Sequence, residues 1–345
     1  MDFIGFKNKY EVKKVVENNN SAPTKPIISV CVQTYNHSNY IRHCLNSILE
    51  QQTNFDFEIL LGEDASTDGT REICIEYAEQ YPDKIRLFLH HRENNIKIGD
   101  QPTGRFNFLY NLFSAKGKYI ALCEGDDYWT DPKKLQVQID EMKKHPEVDM
   151  SFHPAYELID EKKGNILAQH SNETKIFSTS EVILGGGGFC PTASIVFRKE
   201  VVLNLPDWYY TDAPVGDYFL QIFGAKNGGA LYLNQIMSIY RRNHAGSWSA
   251  GQKDPEKNKK WIEEINMSMD KLNDYLGKQY ENDIYQSASL MNFSILKRQD
   301  IAISYRNNIY DKFKYFFNLN KKLQWYFIFS KPLVYKILKT LKGLM

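Results

Sequence analysis

The feature that most constrains this chain is Tyr119-Ile120-Ala121-Leu122-Cys123, followed at once by Glu124-Gly125-Asp126-Asp127-Tyr128-Trp129. A short, nearly continuous apolar run is the habit of a strand buried on both faces, as in a parallel sheet covered by helices. Three carboxylates around one glycine have no use in a core, because an unpaired buried charge is costly. The strand must therefore deliver them from its carboxyl end into a cleft. Oxygen-rich clusters of this kind suit hard divalent cations such as Mg2+ or Mn2+.

The same pattern recurs upstream. Ile27 to Val32 reads as a strand, Gln33 to His37 as a polar turn, and Ile41, Cys44, Leu45, Ile48 and Leu49 as one face of a helix. Phe57 to Leu61 is the next strand. A polar turn from Gly62 to Thr70 follows, then a helix with Ile73, Cys74, Tyr77, Ala78 and Tyr81 on one side. Ile85 to Leu89 is the third strand. A long loop then leads to the helical face of Phe106, Leu109, Tyr110 and Phe113, with Gly117 expected to close that helix. Thr130-Asp131-Pro132 is expected to cap a helix running to about His145. This alternation predicts an α/β fold with a doubly wound, mostly parallel sheet. Ligands then belong at the carboxyl edge, where the turns 33–37, 62–68 and 124–129 gather.

Residues 1–26 read as an N-terminal extension with a short helix at Lys13 to Glu17. Beyond 150 the expected strands are Val148–Phe152, Thr192–Phe197, Ala230–Leu233 and Met237–Tyr240. A hairpin is expected over 160–180, a glycine loop at 185–188, and a helix from Asp217 to about Lys226. Asn243 to Lys260 reads as polar and mobile, and the chain from Trp261 as mainly helical.

The net charge of +1 excludes a dedicated nucleic-acid binder, which needs a basic excess to neutralise phosphates. The five cysteines (31, 44, 74, 123 and 190) show no CxxC pair and fit buried thiols in a reduced, cytoplasmic chain. The N-terminus lacks the apolar core of a secretory signal, and no run of 18 apolar residues exists. The P-loop pattern is absent.

Four segments, in this order and spacing, resemble the family 2 glycosyltransferases, which have the GT-A fold: ISVCVQTYNHSNYIRHCLNSILEQ, FEILLGEDASTDGT, GKYIALCEGDDYWTDPKKL and, more weakly, PVGDYFL. The resemblance implies a Rossmann-like GT-A catalytic domain over 27–250, and the chain beyond it, 251–345, reads as a helical C-terminal region. It implies transfer of a hexosyl or N-acetylhexosaminyl unit from a nucleotide-sugar, by resemblance a UDP-sugar, to an acceptor hydroxyl with inversion. The expected setting is bacterial surface polysaccharide or glycoconjugate synthesis, with a glycan or lipid-linked acceptor and Mg2+ or Mn2+ as cofactor.

On this resemblance Gln33, Thr34 and Tyr35 match the turn that touches base and ribose. Helix entry, with Asn36 or Ser38 as cap, is the competing reading. Asp64 matches the aspartate that accepts the imino N–H of uracil, while Asp68 is expected to cap the next helix. Glu124, Asp126 and Asp127 match the DxD-type cluster. Asp127 is assigned to the metal and Asp126 to ribose or metal, while Glu124 stands where the family usually has Asp. Gly125 would let the backbone approach the donor. Asp217 matches the base that takes the acceptor proton. A helix N-cap is the alternative for Asp217, and Asp212 is a nearby competitor. Arg241 or Arg242 matches a diphosphate clamp, and His244 a third metal ligand or phosphate partner. Arg92, Asn94, Asn95 and Arg105 are further candidate donor contacts. The QxxRW segment of processive members is absent, which points to single transfers.

From Lys312 to Met345 there are eight lysines and no acid, interleaved with aromatic and aliphatic residues. Peripheral contact with an anionic inner membrane face fits this composition. A helical hairpin packed on the catalytic domain fits it too. Two other functions compete with the main one. A sugar nucleotidyltransferase would want a Gly-rich, Arg-bearing loop after the first strand, and the 33–37 turn has no glycine. A non-catalytic nucleotide-sugar-binding module would have no need of the retained acids.

Overall fold

The computed structural model describes residues 1–98, 101–159, 161–242, 255–298, 300–317 and 319–330. The chain divides into two compact units, 1–250 and 251–345. In the first unit the strands are β1 (Val16–Glu17), β2 (Ile28–Thr34), β3 (Phe57–Glu63), β4 (Ile85–Leu89), β5 (Lys97–Ile98), β6 (Gln101–Pro102), β7 (Tyr119–Leu122) and β8 (Tyr128–Trp129). They continue with β9 (Met150–Phe152), β10 (Ala155–Ile159), β11 (Lys162–Leu167), β12 (Lys175–Phe177), β13 (Val196–Arg198), β14 (Ala230–Tyr232) and β15 (Ser238–Arg242). The helices are α1 (Phe3–Tyr10), α2 (Ile41–Leu49), α3 (Thr70–Gln80), α4 (Arg105–Ser114), α5 (Lys134–Lys144), α6 (Thr179–Gly185), α7 (Lys199–Leu203), α8 (Trp208–Thr211) and α9 (Gly216–Ala225).

A nine-stranded sheet runs in the order β1-β4-β3-β2-β7-β13-β9-β14-β12. Its centre, β4-β3-β2-β7, is parallel, as the apolar runs predict. The register Ile28↔Phe57 through Thr34↔Glu63 ends β2 and β3 side by side, and Cys31↔Leu122 sets β7 beside them. The sheet is mixed beyond that centre, because β13 lies antiparallel between β7 and β9. A second sheet, β11-β10-β15-β8, picks up the chain just after the acidic turn. Val30, Val32, Ile59, Leu61 and Ala121 are buried against Ile41, Cys44, Leu45 and Ile48 of α2 and Leu135, Ile139 and Met142 of α5. All five cysteines are buried with free thiols.

Several local expectations are corrected. The N-terminal helix is Phe3–Tyr10, not 13–17, because Phe6 stacks on Phe106 at 5.4 Å and Phe3 meets Tyr110 at 5.1 Å. Val16 and Glu17 instead pair antiparallel with β4. Gly117 does not close α4, which ends at Ser114. It is small because a Cβ there would lie 2.6 Å from the Ser29 nitrogen. α5 starts at Lys134 rather than at Pro132, after a turn in which Asp131 Oδ1 accepts the Lys133 N–H at 2.8 Å. Residues 192–194 form a 3-10 turn, and the strand expected there is Val196–Arg198. Of the segment expected to be polar and mobile, 243–254 lies outside the described residues and 255–260 is helical.

The second unit holds α10 (Pro255–Tyr275), α11 (Glu281–Leu296), α12 (Ile303–Phe313) and α13 (Leu319–Ser330). Ile262, Ile265, Met269 and Leu272 give α10 a buried apolar stripe. Asn266 and Asn292 exchange amide hydrogen bonds of 3.0 and 2.6 Å between α10 and α11, so the buried polar groups satisfy each other.

Candidate active site

The first two polar turns meet at one sheet edge. The Asp64 N–H donates to the Thr34 carbonyl at 3.1 Å. Tyr35 is 41% exposed, and the Arg92 guanidinium lies 4.1 Å from its ring centre. Arg92 Nη1 also donates to Asp64 Oδ2 at 2.5 Å. The Asn95 amide, turned nitrogen inward, donates to Asp64 Oδ1 at 3.2 Å. Burial pushes the Asp64 carboxyl up to about 7 despite the opposing Arg92 charge. Glu63, not Asp64, braces the turn: it accepts from the Ser66 N–H at 2.6 Å and from Arg71 at 3.0 Å. Asp68 accepts from the Thr70 N–H at 3.1 Å and the Ser38 N–H at 3.0 Å, which ties the two turns together. Asn94 faces the other way and holds the main chain of Lys13 through two bonds of 2.7 Å.

The acidic turn presses on this edge. The Gly125 N–H donates to the Gln33 carbonyl at 3.0 Å. A Cβ on Gly125 would lie 2.7 Å from Thr34 Oγ1 and 3.0 Å from His37 Nδ1. Gln33 Nε2 reaches Glu124 Oε1 at 3.4 Å. Loss of water, then the charges of Asp126 and Asp217, push the Glu124 carboxyl up to about 8. Asp127 is buried, and its Oδ1 accepts the main-chain N–H of Arg241 at 2.8 Å. Its Oδ2 is buried with no partner among the described residues. Burial, then Asp126 and Glu124, hold Asp127 well above the usual carboxylate range. Asp126 Oδ2 lies 3.9 Å from His37 Nε2.

This donor set fits a hard dication. Its oxygens are carboxylate oxygens, one is orphaned, and positive charge would relieve the crowding of three acids. Among the described residues no group of three His, Cys, Asp or Glu side chains is arranged to hold a metal alone. His244 lies outside the described residues.

Asp217 is the second residue of α9, whose N-cap is Val215, so it is not the cap. Its Oδ1 accepts the Tyr218 N–H at 2.8 Å. Burial raises the carboxyl, opposed by the Tyr218 N–H, the Arg105 guanidinium and the Thr192 hydroxyl. Asp212 accepts from the neighbouring Thr211 hydroxyl at 2.8 Å. The position that sequence reasoning passed over is Tyr240. Burial raises its phenol, and the charges of Glu124, Asp127, Asp217 and Asp126 raise it further, so the hydroxyl stands in the field of all four acids. The sequence carries no signal for it, because what places it is the bond from the next residue's N–H to Asp127, 114 residues earlier.

Arg241 and Arg242 both engage protein groups. Arg241 donates to the Asp126 carbonyl at 2.6 Å and to Glu161 at 3.2 Å, between the rings of Tyr40 and Tyr128 at 4.8 and 5.1 Å. It buttresses the acidic turn from behind. Arg242 pairs with Glu157 at 2.5 Å. Arg105 is buried and bonds the main-chain carbonyls of Tyr209 in α8 and of Ala213 before α9.

Comparison with known proteins fits this arrangement. The model of the family "Glycosyl transferase family 2" matches residues 29–205. An uncharacterized protein of Mycobacterium bovis is 33% identical over 234 residues, 67% of this chain and 63% of the relative, so the chain spans less than two thirds of that relative's length. An uncharacterized glycosyltransferase of Nostoc is 27% identical over 262 residues, 72% of this chain and 75% of the relative. Among solved structures, S. aureus TarS 1–349 in complex with UDP-GlcNAc superposes with a TM-score of 0.52 at 16% identity, covering 88% of this chain and 73% of TarS. The fold is an α/β fold of the GT-A type. The chain belongs to glycosyl transferase family 2.

Proposed function

We propose that the chain is a metal-assisted, inverting glycosyltransferase. It moves a hexosyl or N-acetylhexosaminyl unit from a UDP-sugar to a hydroxyl of a glycan or lipid-linked acceptor, in bacterial surface polysaccharide or glycoconjugate synthesis. The observation that carries the reading is the convergence of acids. Glu124, Asp126 and Asp127 leave β7 at the edge where Tyr35 and Asp64 stand, and the charge of Asp217 is felt at Glu124.

In this reading the base stacks on Tyr35 and gives its imino N–H to Asp64, with Gln33 and Thr34 along base and ribose. Gly125 lets the main chain approach the donor. Asp126 and Asp127 would hold Mg2+ or Mn2+, with His244 a further candidate ligand. When bound, the cation supplies positive charge to the departing diphosphate. Arg242 adds charge on that side, and Arg241 keeps the turn in place. Asp217 takes the proton of the acceptor hydroxyl as that oxygen bonds to the anomeric carbon and the bond to the diphosphate oxygen breaks. A carboxyl raised by burial is a stronger proton acceptor than one in water.

Contact with a cytoplasmic membrane face through 312–345 belongs to the same reading. On α13, Leu319, Leu323 and Tyr326 are exposed at a spacing of four and three residues, beside Lys321 and Lys322. Residues 331–345 lie outside the described residues. No helix among the described residues is long and apolar enough to cross a membrane.

The test is thermal unfolding with UDP-, dTDP- and GDP-sugars, each with and without Mn2+, because a ligand of the native state raises the melting point. No metal-dependent rise with any donor would sink the assignment. Asp217→Asn should retain the donor-induced rise and lose transfer by about 10²–10⁴-fold.

A further inference from the structure

One helix joins the nucleotide edge to the segment that leads into α9 and Asp217. α4 presents three polar side chains, and each captures a main-chain carbonyl. Asn111 donates to the Val32 carbonyl of β2 at 3.0 Å, and Asn107 to the Gly62 carbonyl of β3 at 2.8 Å. Both carbonyls immediately precede the donor-side turns. Arg105, the first residue of α4, reaches the other way. Its Nη1 donates to the Tyr209 carbonyl at 3.1 Å and its Nη2 to the Ala213 carbonyl at 2.6 Å. The guanidinium is buried over the Tyr209 ring at 4.9 Å, and the Tyr209 hydroxyl donates to the Gly216 carbonyl at 3.1 Å. A Cβ on Gly216 would lie 3.0 Å from both Nη1 and Nη2 of Arg105, so the residue before Asp217 packs directly on the guanidinium.

We propose that Arg105 is the positioning residue that fixes the 209–216 segment, from α8 to the start of α9, and with it Asp217, relative to the nucleotide seat. This rests on the reading of Asp217 as the base. A planar fork suits two carbonyls at once, whereas one lysine ammonium is a point donor on a flexible stem. Gly216 is then required for close packing rather than for a left-handed turn, since its φ is not positive. The rigid link matters because a displacement of about 1 Å at a reacting group can cost about 10²-fold in rate.

The experiment uses the full chain with Arg105→Ala and Arg105→Lys. Amide hydrogen exchange should accelerate about tenfold or more over 209–218 and stay unchanged over 28–34 and 57–63. UDP affinity by calorimetry should stay within about twofold, while Mn2+-dependent hydrolysis of UDP-GlcNAc loses about 10²-fold in turnover at constant KM. Methylguanidinium should restore part of the turnover of the alanine variant only. Unchanged exchange over 209–218, or UDP affinity falling in step with turnover, overturns the inference. If the alanine variant does not fold, the lysine variant carries the same two readouts. Wild-type turnover in Asp217→Asn would sink the base reading itself. An inactive Asp217→Asn beside a normal Arg105→Ala would sink only the positioning role.

Discussion

Arg92 bonds Asp64 at 2.5 Å while its guanidinium covers the Tyr35 ring at 4.1 Å. A base that stacks on Tyr35 and pairs with Asp64 therefore meets Arg92 at both places. The pairing also needs an ionised Asp64, whose carboxyl is pushed up to about 7 by burial. Affinity for a UDP-sugar, whose diphosphate does not titrate in this range, should fall as pH drops through about 7, by up to tenfold per unit. Calorimetry between pH 5.5 and 8.5 measures it. Asp64→Asn should bind weakly with no slope over this window, and a flat wild-type profile would remove Asp64 from the base contact.

The acids also set the pH dependence of folding. Glu124, Asp64, Asp127 and Asp217 all titrate above the range they have in an unfolded chain. At these four groups the folded state therefore holds more protons than the unfolded one from about pH 4, the unfolded carboxylate range, to about pH 8, where Glu124 titrates, whereas burial lowers His90, His153 and Lys134 and works in the opposite sense. The stability that these four acids contribute is fullest below that window and is lost as pH rises through it, by at most ~1.4 kcal/mol per pH unit for each extra proton. Without metal, wild type should lose melting temperature relative to Asp127→Asn between pH 5.5 and 8.5, and Mn2+ should shrink that relative loss. A difference between the two that does not change with pH would contradict the burial of Asp127.

Asp127→Asn separates the fold from the ion. The asparagine carbonyl keeps the bond from the Arg241 N–H, now 2.8 Å to Asp127, and the buried charge disappears. Without metal, the variant should melt no lower than wild type and up to a few degrees higher, because a buried carboxylate left half-satisfied is costly. The Mn2+-induced rise should vanish. An equal rise in variant and wild type would place the ion elsewhere.

The central sheet was legible because β2, β3 and β7 carry continuous apolar runs, and buried parallel strands have few other sequence forms. The turns that follow were legible for the same reason, since polar groups at the end of such strands face a cleft. The antiparallel β13 was misplaced by a few residues, because its apolar run includes the 3-10 turn at 192–194. Gly117 was assigned to a helix end because sequence spacing cannot reveal a backbone contact with Ser29, almost ninety residues upstream. The same limit hid Tyr240 and the use of Arg105. Long-range side-chain contacts leave no period in the chain.

Two glycines should answer differently to one methyl group. At Gly117 a Cβ would press on backbone, 2.6 Å from the Ser29 nitrogen and 2.7 Å from the Ile28 carbonyl carbon. Backbone inside a sheet cannot retreat, so Gly117→Ala should cost about 1–3 kcal/mol in stability, as overpacking does, read from urea unfolding. At Gly125 the clash is with side chains, Thr34 Oγ1 at 2.7 Å and His37 Nδ1 at 3.0 Å. The Thr34 hydroxyl and the His37 ring can rotate, but Thr34 Cβ, at 2.8 Å, is fixed by β2, so it is the acidic turn that must shift against this edge. Gly125→Ala should therefore keep most of the stability and lose donor affinity by about tenfold or more, since each 1.4 kcal/mol of misfit is tenfold. If Gly125→Ala instead unfolds the chain while binding per folded molecule is unchanged, the turn serves the fold alone and the close approach to a ligand is wrong.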